Sequence, residues 1–561
     1  MNRFSDSPLQ FIVIITLTVL TVFVLYAFRS LDDNRLTSWE WVFGTVKITR
    51  ILVLLIPGGI VSFLFSRSSA PERYPAAFLF ILSFAAAALL WREPEMIVDA
   101  SRYFTQAKHL ELYGTGYFLR EWGKTVAAWT DLPLMPFVYG LVFRYLGEAR
   151  IYVQLVTTLL FSLTVVLTYL TGKALWDRET GFFGGMFLLG IPYIFTQAPL
   201  MLVDIPAMFF FTFAVFAFVT ALERGGIWVP LASSALFLLI FSKYSAWMMS
   251  SLFLIIAAVR LLQARRSPGE IPAGSCGLRI IIPLLSAALA AGVIMFLKYD
   301  VFSSQIGLLL SYQKPGLSRW GESFISTFLF QVHPFISAAA AFSVYSAWKK
   351  KDPKYLIISW LMVLTIALQI KRIRYTIIAF PMLALMAAYG TAAIRDIDLK
   401  RQIVFSVTAC SLIIAVFAYL PFLKHTSAQN LQRAGAFINS LLGKNIEVVT
   451  LPKKGADVNI AVSVPLLNIF VNKRIHYRYL PEYFPTREKI EGSPLRFTWM
   501  YKNPGYYENN GLPGSLAIIA GEPVDVLPGT VAKIAKRFSY SRSFTLQDNV
   551  FYNQTVVKVY Y

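Results

Sequence analysis

The sequence predicts a mostly α-helical, polytopic transmembrane bundle followed by a small extracytoplasmic α/β domain at the C-terminus. Three observations carry this. Of 561 residues, 56% are hydrophobic and only 15% are charged, against about 25% charged in ordinary globular domains. Apolar runs near the spanning length of roughly 17–25 residues recur as far as Leu420. After Pro421 such runs stop, and short segments of strand or helix period take over.

Some thirteen runs qualify as spans: Leu9–Phe28, Ile48–Phe65, Pro75–Trp91, Ile151–Gly172, Phe182–Gln197, Ile205–Leu222, Trp228–Phe241, Ala246–Leu262, Ile280–Leu297, Phe324–Trp348, Tyr355–Ile370, Thr376–Ile394 and Ile403–Leu420. The first is longer than the roughly 7–15 apolar residues of a secretory leader, and no small-x-small cleavage site follows, so it reads as a retained span. The chain divides into N-terminal transmembrane helices (1–91), an outer loop with surface helices (92–150), a transmembrane core (151–421) and a soluble α/β domain (422–561). In the last, Ala428–Leu442 has helical period, Ile446–Leu451 and Leu516–Ile519 read as strands, and Asn549–Tyr560 alternates. Asn553-Gln554-Thr555 fits the N-glycosylation sequon.

Orientation follows from the cations. Lys173 and Arg178, Arg224, Arg265, Arg266 and Arg279, then Lys349 to Lys351 and Lys354, then Arg395, Lys400 and Arg401 occupy alternate connections. The positive-inside bias assigns these to the cytoplasm. The Trp91–Gly147 loop, the Asp204 turn, the Lys298–Ser323 loop and the C-terminal domain then face outward from a plasma (inner) membrane. The net charge of +21 reads as cytoplasmic loops with affinity for anionic membrane lipids. Nucleic acid is excluded as a partner, since no basic aromatic module appears. Cys276 and Cys410 are far apart and the four histidines scattered, so neither a disulfide framework nor a Cys- or His-based metal site is expected.

Ionisable and aromatic residues crowd the Trp91–Gly147 loop. A surface helix over 99–111 places Asp99, Arg102 and Tyr103 on one face at i, i+3 and i+4. A carboxylate beside a guanidinium suits deprotonating a hydroxyl and holding a phosphate; an anchoring ion pair has the same pattern. Asp131, before Leu132-Pro133, either orients a substrate or caps the next helix. Asp204, before Ile205-Pro206, reads as an N-cap or as a carboxylate facing the outer cavity. Lys243 interrupts two apolar runs and either snorkels or pairs with an anion such as a lipid phosphate. Lys371, Arg372, Arg374 and Tyr375 fall at the outer face, against the bias. A phosphate-bearing lipid explains cations there, and a membrane-anchor belt is the alternative. The Lys298–Ser323 loop, with Lys298, Asp300, Tyr312, Lys314, Arg319 and Glu322, reads as a lid or as a solvated connection. His333-Pro334 predicts a kink within a span.

The arrangement resembles the GT-C superfamily of polyprenyl-phosphate-sugar-dependent glycosyltransferases, in its aminoarabinose transferase and protein O-mannosyltransferase branch. Four places carry the resemblance. Asp99-Ala100-Ser101-Arg102-Tyr103 is similar to the family's Asp-Glu-x-x-Tyr, with Arg102 matching the aminoarabinose transferase variant. Leu132 to Pro136 with Leu141 to Glu148 resembles the re-entrant segment. Lys243-Tyr244-Ser245-Ala246 resembles the Thr-Lys-Tyr/Gly segment, and Arg372-Ile373-Arg374-Tyr375 the late Arg-x-x-Arg-Tyr segment. Ala100 stands where the family carries Glu, so a metal role attached to that Glu does not transfer, and a divalent cation stays an open cofactor. Thr130-Asp131-Leu132-Pro133 replaces His-Pro-Pro.

The resemblance implies a polyprenyl-phosphate-sugar donor, a lipid, glycan or protein acceptor, an outward-facing site and inversion at the anomeric carbon. A polyprenyl phosphate is a good leaving group that needs cations rather than a general acid. The expected phosphate-binding set is therefore Arg102, Tyr103, Lys243, Arg372, Arg374 and Tyr375. The acceptor hydroxyl needs a base, expected at Asp99, with Asp204 and Asp131 as further catalytic carboxylates. The competing class is a transporter or flippase with a periplasmic domain. Its charges belong near the bilayer midplane, among internal repeats, whereas here they gather at one face. The C-terminal part has no Trp-Trp-Asp segment, which weighs against an oligosaccharyltransferase.

Overall fold

The structure, a computed structural model, describes residues 7–266, 273–314, 321–425, 428–453, 455–478, 486–493, 495–508, 513–545 and 554–561. Arg319 of the expected lid and Asn553 of the sequon lie outside these residues. The chain forms two compact units. The first comprises Met1–Trp91, Val156–Pro199 and Val203–Pro421; the second comprises Arg92–Leu155, Leu200–Leu202 and Phe422–Tyr561.

Among the described residues, eight helices are long and apolar enough to cross a membrane: Pro8–Ala27, Ile48–Arg67, Arg150–Leu175, Asp204–Arg224, Tyr244–Arg265, Cys276–Leu297, Ile373–Thr391 and Ile397–Leu423. The chain is a multi-pass membrane protein. The five other expected spans are helical but shorter or broken. Pro75–Ala88, Trp228–Ile240 and Tyr355–Ala367 have 13 or 14 residues. The remaining two break before proline, which lacks an N–H and clashes with the preceding turn. One divides into Arg178–Leu189 and Pro192–Gln197. The other breaks at His333, whose Nδ1 accepts the Phe335 N–H at 3.2 Å and so caps Pro334–Lys350.

A buried knot ties the first connection of this unit to a distant segment. The Asp32 carboxylate accepts hydrogen bonds from Ser326 Oγ (2.5 Å), Gln331 Nε2 (2.8 Å) and the Trp39 N–H (2.7 Å). Gln331 Oε1 in turn accepts from Thr37 Oγ1 and the Tyr419 hydroxyl. Burial pushes the Asp32 carboxyl up to about 6, although each of these bonds opposes the rise. Asp33 holds the Ser323 N–H at 2.9 Å. Together the two aspartates fix the residues beside Glu322.

In the second unit the Ile97–Glu121 helix packs along Leu134–Leu146. The approach is close enough to require glycine at 140: a Cβ there would meet Leu110 Cβ at 2.6 Å and the Ala107 carbonyl at 2.9 Å. Gly114, at φ 87°, interrupts the longer helix, a conformation that glycine adopts without a Cβ clash. Arg150 binds Glu95 (2.9 Å) and the Glu93 carbonyl, and Glu95 accepts the Met201 N–H.

The C-terminal segment of this unit carries a five-stranded sheet in the order β2-β1-β3-β5-β4. The strands are β1 (Asn445–Leu451), β2 (Arg474–Arg478), β3 (Leu516–Ala520), β4 (Ser541–Phe544) and β5 (Val556–Tyr560). β1 runs parallel to β2 and β3, while β5 is antiparallel to β3 and β4. Central β3 is buried throughout, as its unbroken Leu-Ala-Ile-Ile-Ala run requires. Val449, Leu451, Leu516, Ile518, Val531 and Ile534 form a core beneath it.

Candidate functional site

The nine residues singled out from the sequence fall into two groups, one in each unit. In the second unit Asp99, Arg102, Tyr103 and Asp131 come together. The first turns of Ile97–Glu121 present Asp99 and Arg102 at helical spacing, and Arg102 Nη2 lies 3.4 Å from Asp99 Oδ1. Asp131 reaches the same guanidinium at 3.0 Å. A turn brings it there: its N–H donates to the Ala128 carbonyl at 2.8 Å, with Trp129 left-handed at φ 51°. Asp131 also accepts from Gln106 Nε2 at 3.1 Å. It does not cap the next helix; Pro133 occupies that position without a side-chain bond. Arg102 lies 4.7 Å from the Phe497 ring centre and 5.7 Å from that of Tyr103. Burial disfavours its charge, but Asp131 and then Asp99 outweigh that and hold its pKa above the usual arginine value. Asp99 keeps 18% of its side-chain surface exposed, Asp131 only 6%. Asp99 is thus the more accessible carboxylate.

In the first unit Asp204, Lys243, Arg372, Arg374 and Tyr375 come together, with Glu322. Asp204 opens its helix but makes no capping bond. Its carboxylate, 0% exposed, is held by Lys243 Nζ at 2.5 Å and Arg374 Nε at 3.0 Å. Lys243 therefore does not snorkel; its partner is a carboxylate of the chain. Arg372 Nε lies 3.4 Å from Glu322 Oε1, and Glu322 also accepts the Ile373 N–H at 3.3 Å. Tyr375 packs beside Arg372 and Lys243, 5.5 and 5.7 Å from its ring centre. Three cations meet two carboxylates, so the cluster keeps a positive excess when all are ionised. Burial pushes Glu322 up to about 7, against the pull of Arg372.

Two further residues stand out in the structure that were given no role from the sequence. Tyr193 lies in the Pro192–Gln197 turn, fully buried, within electrostatic reach of Arg374, Glu322 and Arg372. Its hydroxyl has no hydrogen-bond partner among the described residues. Glu148, in the second unit, pairs with Lys108 and accepts from Asn468 Nδ2 at 2.7 Å. Burial raises its pKa; Lys108 opposes the rise and Glu111 adds to it. His109 nearby is lowered by burial to about 4, so it is neutral at physiological pH. Among the described residues no three His, Cys, Asp or Glu side chains converge as metal ligands.

The chain folds as a GT-C-like helical membrane bundle with a small C-terminal α/β domain. Solved structures share it. ArnT from Cupriavidus metallidurans in the apo state superposes with a TM-score of 0.55 at 11% identity, over 86% of this chain and 98% of that one. The same protein bound to undecaprenyl phosphate gives a TM-score of 0.52 at 11% identity, over 85% and 97%. Archaeal oligosaccharyltransferase AglB from Archaeoglobus fulgidus, in complex with an inhibitory peptide and a dolichol-phosphate, aligns at a TM-score of 0.45 and 11% identity, over 81% and 70%. At that score it adds nothing to the fold assignment. No protein-family model and no curated protein sequence matches the chain.

Proposed function

We propose that the chain transfers a sugar from a polyprenyl-phosphate donor to an acceptor hydroxyl, with inversion, at the outer membrane face. One observation carries this reading: three cations gather on two buried carboxylates around Asp204 and leave a positive excess. Such a cluster suits a phosphate leaving group. The shared fold supports the donor class, since ArnT is bound to undecaprenyl phosphate in one of the structures it resembles.

In this mechanism Asp99 removes the acceptor hydroxyl proton as the acceptor oxygen bonds to the anomeric carbon. The bond from that carbon to the phosphate oxygen breaks on the opposite side, and its electron pair leaves with the polyprenyl phosphate. Lys243, Arg374 and Arg372 stabilise the added charge, while Tyr375 packs against them. Asp204 holds two of these cations in place and is too enclosed to act as a base. Asp131 anchors Arg102, and Arg102, backed by Tyr103, orients Asp99.

The test is sugar transfer from a polyprenyl-phosphate sugar in nanodiscs, normalised to folded protein. Lipid translocation without any glycosylated product would overturn the reading in favour of a flippase. Sidedness is checked by cysteine labelling at Tyr113 and Ser440, both of which should react from outside the cell. Reaction from the cytoplasm at either position would break the orientation.

A further inference from the structure

A cavity of about 310 Å3 opens in the membrane bundle at the ends of helices that the Lys/Arg bias assigns to the cytoplasm. It lies one helix transit from Asp204, because the chain passes through Arg178–Leu189 and Pro192–Gln197 between the two places. The end of Ile48–Arg67 and the starts of Pro75–Ala88, Arg178–Leu189 and the Ile397–Leu423 span bound it.

Its wall has two characters. Phe65, Phe182 and Phe405 form one aromatic surface, with Phe405 at 6.4 Å from Phe65 and 6.3 Å from Phe182 between ring centres. Arg178 and Arg401 supply the charge. Arg178 also donates to the Arg73 carbonyl at 3.4 Å, and Glu179, which lines the cavity too, pairs with Lys400, so among these four groups three cations meet one carboxylate. The volume falls in the range of about 300–1,000 Å3 typical of small-molecule sites. A wall that sets two guanidiniums beside a phenyl surface matches an anion that carries hydrocarbon. A free phosphate would gain nothing from the rings.

We propose that this cavity binds the phosphate headgroup and first acyl carbons of an anionic membrane phospholipid. Basic pockets between membrane helices at the cytoplasmic face recognise lipid headgroups by this chemistry, and guanidinium matches phosphate through paired N–H donors. The site is independent of the transfer reaction proposed above and lies at the other end of the helices.

The test uses the full chain in phosphatidylcholine nanodiscs titrated with phosphatidylglycerol, with bound lipid counted by native mass spectrometry. Saturable uptake is expected, and Arg178→Gln and Arg401→Gln should each weaken it roughly fivefold or more. Ser68→Trp, which fills the cavity without changing its charge, should cause a comparable loss. It keeps the test decisive if an arginine variant fails to fold. Lys173→Gln removes an exposed cation of the same face outside the cavity and should leave uptake unchanged. Wild-type uptake in both arginine variants would overturn the site. Equal weakening by Lys173→Gln would reduce it to a diffuse charge belt. Competition by inorganic phosphate as effective as that by phosphatidylglycerol would make it a soluble-anion site and overturn the lipid assignment.

Discussion

The two charged clusters are built on inverse plans. Around Arg102 one guanidinium is shared by two carboxylates, Asp99 and Asp131. Around Asp204 one carboxylate is shared by two cations, Lys243 and Arg374. The first plan leaves a negative excess and one carboxylate partly open; the second leaves a positive excess. A buried charge is costly unless paired, so each cluster must contain the opposite sign. The surplus decides what it can do. Negative surplus suits taking a proton from a neutral hydroxyl, and positive surplus suits accepting charge from a departing phosphate.

The largest effect should come from removing the open carboxylate. Asp99→Asn should lower turnover per folded molecule by roughly 10²–10⁴, the contribution of a positioned base, with donor binding nearly unchanged. Near-normal turnover would shift the base to Asp131 and dissolve the functional contrast between the carboxylates. Asp204→Asn should act on stability instead. It strands two largely buried cations at a cost of about 3–5 kcal/mol, measurable as a lower unfolding midpoint in detergent. An unchanged midpoint would mean that the cations do not depend on Asp204.

Arg372→Ala and Arg374→Ala should weaken donor affinity roughly ten- to hundredfold, since a charge-assisted bond to phosphate is worth about 1.5–3 kcal/mol. Wild-type affinity in both would remove the positive cluster from the donor site. The smallest effect concerns pH. Glu322 is raised to about 7 in the fold from its ordinary 4.5, so the folded chain holds an extra proton between those values. Its contribution to stability is therefore complete below 4.5 and lost as pH rises through 7. Glu322→Gln should flatten that part of the stability profile, and an unaltered profile would show that Glu322 titrates normally.

The helical bundle was legible because spanning runs need only composition and length. β2 and β4 escaped for the opposite reason. They are edge strands reading Arg-Ile-His-Tyr-Arg and Ser-Arg-Ser-Phe, mostly half-buried or exposed, with no apolar run to betray them. In the site, the charged residues could be named from the sequence, and so could the Asp99–Arg102 pair at helical spacing, but partners far apart along the chain could not. Asp204 meets Lys243 and Arg374 across 39 and 170 residues, separations that no helical period encodes. Tyr193 was invisible because an aromatic within Ile-Pro-Tyr-Ile-Phe reads as span filler.

The Asp32 knot has a consequence for how the chain is made. Its carboxylate leaves the ribosome 294 residues ahead of Ser326, the hydroxyl that it will hold. At roughly 5–20 residues per second of synthesis, that is a wait on the order of 15–60 s. During that interval the first connection has no Ser326 or Gln331 to bond, so it must stay hydrated or be sheltered by the insertion machinery. Nascent chains stalled before residue 326 should leave the Asp32 segment open to protease, and chains released beyond Gln331 should protect it. The first connection is thus among the earliest parts of the protein to be synthesised and among the later ones to lock.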